Sequence, residues 1–113
     1  MEFLFLMIDL PTVECWSQKQ QRDASARMNA FQAELMQAGR YKDGGGIGSD
    51  IDAIDVLVLG DLLVEEHGAV ANSAKLIGGF MIVECQSLAE AVQIAKDCPA
   101  SEWASVKIRR LWR

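Results

Sequence analysis

Residues 77–99, IGGFMIVECQSLAEAVQIAKDCP, predict a strand followed directly by a helix. The first eight residues place apolar side chains on both sides of an extended chain, which is typical of a strand buried on both faces. Ser87 is followed three residues later by Glu90, a capping box that satisfies free amides at the start of a helix. Pro99 pushes Cys98 out of helical geometry, so the helix ends there. The residues expected on its buried side are Leu88, Ala91, Val92 and Ala95.

The rest of the chain divides into four further strands, one long helix and a glycine-rich segment. The strands are expected at residues 2–9, 54–59, 62–64 and 106–112, and the middle two form a hairpin. No Gly or Pro interrupts the helical spacing from Ser17 to Ala38, and Gly39 follows where a left-handed residue commonly ends a helix. Residues 43–52 combine glycine and aspartate without periodicity and are interpreted as a loop.

This order of elements predicts an α+β fold, a ferredoxin-like antiparallel sheet with two helices on one face. The opposite face would then be uncovered, although the strands at 2–9 and 77–84 carry apolar residues on both sides. Large exposed apolar surfaces are rare on monomers, so we expect the chain to form a homodimer through its sheet. The alternative is that the chain's own loops cover this face.

The composition is that of one soluble domain covering residues 1–113. Eleven basic and sixteen acidic side chains give a formal net charge of -5. This charge argues against nucleic acid as a partner, because nucleic-acid affinity depends on neutralising phosphates. Arg109 and Arg110 belong to a basic cluster that we interpret as a solvated strand, with an anion site as the alternative. No stretch has the ~20 apolar residues that span a bilayer, so no membrane contact is expected.

The cysteines predict neither a disulfide framework nor a metal site. Cys15, Cys85 and Cys98 are odd in number and lack Cys-x-x-Cys spacing, so a reducing, cytoplasmic location is expected. The apolar run at residues 3–8 is too short for a signal peptide and lacks a basic flank. Residues 44–48 are glycine-rich but lack the strand-to-helix context of a phosphate-binding loop, and no cofactor is predicted.

Residues 67–80, HGAVANSAKLIGGF, resemble the signature of the YCII-related superfamily in its DGPF branch, which reads roughly DGPFAETKE, two apolar residues and GGF. The likeness continues through the strand, serine-capped helix and Cys-Pro exit at 81–100 and covers nearly the whole chain. His67 stands where the family has Asp, Asn72 replaces its first Glu, and Lys75 its second. The resemblance implies a ferredoxin-like domain that dimerises into an α+β barrel and has a conserved cleft.

His67 is the candidate acid/base residue, because an imidazole exchanges protons near neutral pH. It is the single histidine and is expected at a strand-to-loop transition, where a rigid scaffold commonly positions functional groups. Asp9, at the end of the first strand, is its preferred partner, since an imidazole paired with a carboxylate can act as a general base. The alternative is a surface histidine without a function.

Four more side chains are candidates for ligand binding. Asn72 and Ser73 could orient a ligand through hydrogen bonds, Lys75 could hold an anion, and Tyr41 could donate its hydroxyl into the same cleft. Roles in an exposed loop or in packing are the alternatives. The tryptophans are interpreted as core or interface anchors rather than as ligand stackers; they are Trp16, Trp103 and Trp112.

Three functions agree with this sequence. The first is an enzyme that performs acid/base chemistry, such as isomerisation or elimination, on a small polar or aromatic compound. The second is a non-catalytic ligand-binding or regulatory module, which the loss of the acidic signature residues favours. The third is a purely structural dimer module. A concave pocket with His67 hydrogen-bonded to a carboxylate would favour the first.

Overall fold

The computed structural model describes residues 1–48, 53–67 and 77–113. Its helices and strands are β1 (Glu2–Asp9), α1 (Gln18–Gln37), β2 (Tyr41–Gly46), β3 (Ile54–Leu59), β4 (Leu62–His67), β5 (Ile77–Glu84), α2 (Leu88–Asp97) and β6 (Ala104–Arg110). Short 3-10 helices lie at Pro11–Cys15 and Pro99–Glu102. None of the helices in these ranges is both long enough and apolar enough to cross a bilayer.

The strands form two separate antiparallel sheets. Four of them lie in the order β2-β5-β1-β6, while β3 pairs with β4. In the centre, Phe5 of β1 lies between Met81 of β5 and Ile108 of β6. The larger sheet has the topology of a ferredoxin-like fold, with the β3–β4 hairpin inserted between its second and third strands. The predicted α+β class and the predicted hairpin are therefore confirmed.

Both helices pack on one face of the four-stranded sheet. Phe3, Phe5 and Met7 of β1 face the helices and are at most 6% exposed. Full burial of a side chain such as Phe5 stabilises the fold by about 1.5–3 kcal/mol relative to exposure. The core continues through Met81, Val83, Phe31, Leu35, Ala91 and Ala95. The hydrophobic core therefore lies between the sheet and the two helices.

The other face of the four-stranded sheet is also apolar. Leu4, Leu6 and Ile8 alternate with the core residues of β1 and are only partly buried. Ile82 and Phe80 of β5 lie opposite Leu4 and Leu6 and complete the row. In the part of the chain that the structure describes, neither helix packs on these five residues. We call them the open face, and the predicted two-sided apolar pattern of β1 and β5 is confirmed.

Helix α1 begins and ends where its sequence predicts. The Ser17 hydroxyl accepts a hydrogen bond from the Gln20 amide at 3.1 Å, and the Gln20 side chain accepts one from the Ser17 amide at 2.8 Å. Gly39 has a φ of 72°, a conformation that glycine adopts without a Cβ clash. Within the helix, Phe31 and Leu35 are the buried residues. Its first half can therefore form the wall of a pocket.

The loop expected at residues 43–52 is wrong in its first part, because residues 43–46 belong to β2. Gly44 pairs with β5, and a Cβ at this position would lie 2.9 Å from the Phe80 carbonyl oxygen. The absence of a side chain lets the two backbones approach closely. Strand β2 is stabilised by its backbone pairing with β5 and not by apolar side chains, so its sequence lacks the hydrophobic alternation from which strands are predicted. Residues 49–52 lie outside the described part of the chain.

Helix α2 is confirmed at Leu88–Asp97, but its buried side is narrower than predicted. Ala91 and Ala95 are buried, whereas Leu88 is 58% and Val92 36% exposed. The helix therefore contacts the core mainly through its small alanine side chains, and the larger Leu88 and Val92 side chains stay partly in solvent. Strand β6 begins and ends two residues earlier than predicted.

Candidate functional site

A pocket with a volume of about 470 Å³ opens next to the core. It lies between residues 21–32 of α1 and the ends of β1, β2 and β5, and it includes residues of both 3-10 helices. The volume is in the range of ~300–1,000 Å³ that is typical of small-molecule sites. No residue of the β3–β4 hairpin is among the described residues that line it.

Asp9 is the last residue of β1 and contributes its carboxylate to the pocket. This carboxylate lies directly over Gly78 of β5, where a Cβ would come within 2.6 Å of Asp9 Cγ. Burial raises the pKa of Asp9 above its ordinary value, and no described cation offsets the effect. Desolvation favours the neutral acid. The Asp9 carboxyl therefore keeps its proton to a higher pH than an exposed carboxyl does.

Tyr41 begins β2 and presents its hydroxyl to the same pocket. The hydroxyl occupies space that Gly44 leaves open, because a Cβ on Gly44 would lie 2.9 Å from it. Burial, together with the nearby Asp43 carboxylate, raises the pKa of Tyr41. Its phenol therefore stays neutral at physiological pH and can donate a hydrogen bond to a ligand.

Helix α1 presents a stripe of uncharged polar side chains to the pocket. Its members are Gln21, Ser25, Asn29 and Gln32. Successive members are three or four residues apart, so they follow one another along a single face of the helix. Amides and hydroxyls both donate and accept hydrogen bonds. This wall suits a ligand with several oxygen atoms.

Aromatic and thioether side chains form the apolar part of the pocket. Trp16 and Trp103 are in edge-to-face contact, with ring centroids 5.4 Å apart and planes inclined by 70°. They line the pocket together with Met7, Met28 and Met81. These polarisable groups favour contact with an aromatic ring. Trp112, by contrast, is 85% exposed and lies beneath the Arg110 guanidinium.

The charge of the pocket limits what it can bind. Among its described lining residues there is no Lys, Arg or His, and Asp9 is the one carboxylate. An anionic ligand would therefore meet a neutral or negative site without a counter-charge. A neutral ligand would meet hydrogen-bonding groups on one side and aromatic groups on the other.

The structure brings two of the predicted site residues together. Asp9 and Tyr41 both line the pocket. His67 ends β4, with its side chain 67% exposed and its Nε2 atom 3.5 Å from a Glu65 carboxylate oxygen. It does not belong to the described lining of the pocket. The three remaining candidates, Asn72, Ser73 and Lys75, lie outside the described residues.

Sequence reasoning missed Gly78 and the polar stripe of α1. Gly78 was recognised as part of a strand motif, but its role in making room for Asp9 depends on a contact between two strands. The polar stripe is visible in the sequence, because Gln21, Ser25 and Asn29 recur at intervals of four residues and therefore share one face of the helix. Such spacing on a polar helix face is normally attributed to solvent exposure.

The fold and the family agree with comparisons to known proteins. The chain is structurally similar to 5-chloro-2-hydroxyhydroquinone dehydrochlorinase from Burkholderia phenoliruptrix AC1100, solved in complex with 2,5-dihydroxybenzoquinone. The TM-score is 0.59 at 19% sequence identity, over 99% of this chain and 94% of the other. No curated protein sequence matches significantly. The model of the YCII-related domain matches residues 1–113, and the chain therefore belongs to the YCII-related domain family.

Proposed function

We propose that this protein is an enzyme that performs acid/base chemistry, isomerisation followed by elimination, on a small hydroxylated aromatic compound. The observation that carries the proposal is the position of Asp9. Its carboxylate lies in the pocket, in the space that Gly78 leaves open because it has no side chain. Burial raises the pKa of this carboxyl, and the surrounding walls are aromatic or uncharged and polar.

The pocket walls support the class of substrate. An aromatic ring can pack against Trp16 and Trp103, while its hydroxyl groups bond to Tyr41 and to the polar stripe of α1. The structural neighbour is a dehydrochlorinase solved with a dihydroxybenzoquinone. At 19% identity this likeness supports the fold, and its substrate serves here as a guide to the compounds to test.

The chemistry needs three proton transfers. In the isomerisation, a ring hydroxyl gives its proton to water and the protonated Asp9 carboxyl gives its own to the carbon bearing the leaving group, which yields a conjugated ketone. In the elimination, a second hydroxyl gives its proton to Asp9, its electrons form a new carbonyl, and the leaving group departs as an anion with the electrons of its bond. The sum is loss of one acid, HX. A carboxyl with a raised pKa can serve as the donor and then as the acceptor.

The test is the release of chloride from 5-chloro-2-hydroxyhydroquinone by the wild type and by Asp9→Asn. Loss of a positioned acid/base group should lower kcat by about 10²–10⁴-fold. Asp97→Asn is the matched control, because Asp97 is a carboxylate at the end of α2 that does not line the pocket. No chloride release by the wild type, or full activity in Asp9→Asn, would contradict the proposal.

The proposal also keeps four candidate residues that do not belong to the described lining of the pocket. His67 is the acid/base candidate, and the ligand-binding candidates are Asn72, Ser73 and Lys75. The resemblance to the family signature places His67 opposite a conserved acidic position, and it is the one histidine in the chain. Alanine variants at these four positions, assayed for chloride release, test them individually. A normal kcat and KM in all four would leave Asp9 and Tyr41 as the reacting groups and would remove His67 from the mechanism.

A non-catalytic ligand-binding role is the second candidate. It is favoured by the replacement of acidic signature residues by Asn72 and Lys75. Calorimetry with hydroxyhydroquinone, which lacks a leaving group, measures binding without turnover. Tight binding together with no chloride release would support this role over the enzyme.

The assignment to the DGPF branch and a cytoplasmic location complete the proposal. The first is supported by the GGF strand and the capped helix that follows it, and the second by the unpaired cysteine pattern.

A further inference from the structure

The aromatic wall of the pocket is carried by two short segments of the chain. Trp16 directly follows the 3-10 helix Pro11–Cys15, and Trp103 directly follows the 3-10 helix Pro99–Glu102. Neither helix has a side-chain hydrogen bond at its N-terminus. Helices this short gain little stability of their own and depend on contacts with neighbouring elements. The contacts around Trp103 therefore decide where this wall lies.

The backbone of Trp103 is anchored next to the acid/base candidate. The Leu10 amide donates a hydrogen bond to the Trp103 carbonyl oxygen at 2.8 Å. The next residue, Ala104, pairs with Asp9 in the register of β1 and β6. A main-chain anchor of this kind fixes the Cα atom but leaves the side chain a choice of rotamers. The orientation of the indole therefore depends on other side chains.

Two side chains hold the indole itself. Trp16 packs against it edge to face, and Cζ of Arg27 lies 5.7 Å from the ring centroid. Arg27 also pairs with the carboxylate of Glu102, which precedes Trp103 in the chain. This pairing holds the pKa of the Glu102 carboxyl below its ordinary value, so both side chains are charged at neutral pH. A cation over an indole is attracted to the negative face of the ring. Arg27 therefore links α1 to this segment twice.

Arg27 lies outside the pocket but next to residues that line it. Ala24 and Met28 of the same helix line the pocket, whereas Arg27 and Glu102 do not. The Arg27 and Glu102 side chains are 50% and 59% exposed, so both charges remain solvated. A ligand in the pocket therefore meets the neutral indole and not the ion pair. Any short-range effect of Arg27 on the ligand passes through the lining residues, and Trp103 is the aromatic one that it contacts.

We propose that Arg27 and Glu102 are positioning residues, which hold the Trp103 indole as the wall against which the substrate ring packs. This inference rests on the proposed function, because it takes the ligand to be aromatic. Asp9 is held separately, by β1 and by the space over Gly78. Loss of the ion pair therefore weakens binding of the ring and leaves the acid/base group in place. The expected signature is a raised Kd and KM with a nearly constant kcat.

The first test compares three variants of α1. Arg27→Met keeps a long side chain without its charge, and it should raise the Kd for hydroxyhydroquinone and the KM for 5-chloro-2-hydroxyhydroquinone about two- to fivefold, which is the range of an exposed cation–π contact. Its kcat should stay within about twofold of the wild type. Arg27→Lys retains a cation and should recover the wild-type Kd. Arg22→Met is the matched control, because Arg22 is exposed on the same helix and does not line the pocket.

The second test follows the indole without a ligand. Trp16 and Trp103 are close enough for their electronic transitions to couple, which gives paired bands in the circular dichroism spectrum. Trp103→Phe should abolish these bands and so identify them. Arg27→Met should weaken them, whereas Arg27→Lys and Arg22→Met should keep them. Thermal unfolding of each variant checks that the fold is intact.

The outcomes separate this inference from the proposed function. Binding of hydroxyhydroquinone without chloride release would contradict the proposed function, while the Kd values and the paired bands would still test the role of Arg27. Unchanged Kd and unchanged bands in Arg27→Met overturn the inference, as does an equal loss in Arg22→Met. A fall in kcat at constant Kd also overturns it, because Arg27 would then act on the chemistry. A wild type that does not bind hydroxyhydroquinone overturns both.

Discussion

The two sheets of this molecule contain similar hydrophobic residues in very different environments. In the four-stranded sheet, Phe5 and Val83 are fully buried against the helices. In the hairpin, Val58 and Leu63 are each 63% exposed. Hydrophobic strand sequences alone do not distinguish these cases, because burial depends on which elements lie beside them. The comparison separates hydrophobic residues that form the core from hydrophobic residues that remain exposed.

The largest expected effect lies in the core of the four-stranded sheet. Phe5→Ala removes a fully buried ring and should lower the free energy of unfolding by about 3–5 kcal/mol. Val58→Ala in the hairpin should change it by less than about 0.5 kcal/mol, because Val58 is exposed. Urea denaturation of both variants measures the difference. Equal losses would show that the hairpin belongs to the same core.

A smaller effect is expected where the sheet forms the pocket. Gly78→Ala places a methyl group on the position of the Asp9 carboxylate, so Asp9 must move. A displacement of about 1 Å in a catalytic group can cost about 10²-fold in rate, and we expect that loss in kcat for chloride release. Gly48→Ala is the control, since a Cβ there meets no atom within 4 Å. If both variants keep wild-type kcat, Asp9 does not act from this position.

The smallest expected effect is on stability and concerns Asp9. Its folded-state pKa is raised by burial, so the native state binds a proton more tightly than the unfolded chain does. Stability is therefore lost as the pH rises from 3.8 through the raised pKa. Asp9→Asn removes this cost and should raise the melting temperature at pH 7, with the gain disappearing at pH 3. Calorimetric melting curves at the two pH values measure it, and a lower melting temperature at pH 7 would contradict the assigned pKa shift.

Most of the framework could be predicted from the sequence because it follows local rules. Strands β1 and β5 show two-sided apolar runs, and α1 has its capping serine and terminating Gly39. These signals depend on residues close together in the chain. Strand β2 could not be predicted in the same way, because Gly44 is held there by a backbone contact with β5.

Two residues of the candidate pocket also follow from local sequence signals. Asp9 and Tyr41 could be identified because each is a titratable residue at the end of an apolar or helical segment. Their common pocket depends on glycines in other strands, which a linear pattern does not reveal. The predicted pair of Asp9 and His67 would need the end of the hairpin to lie next to the pocket. The described lining of the pocket contains no hairpin residue.

The most direct test of the central claim is the pKa of the Asp9 carboxyl, measured by ¹³C NMR titration and assigned by comparison with Asp9→Asn. In the free protein it should lie above the ordinary value of 3.8, and saturation with hydroxyhydroquinone should shift it further because the ligand excludes water. A value at or below 3.8 that does not respond to the ligand would contradict a buried acid/base group in a ligand pocket.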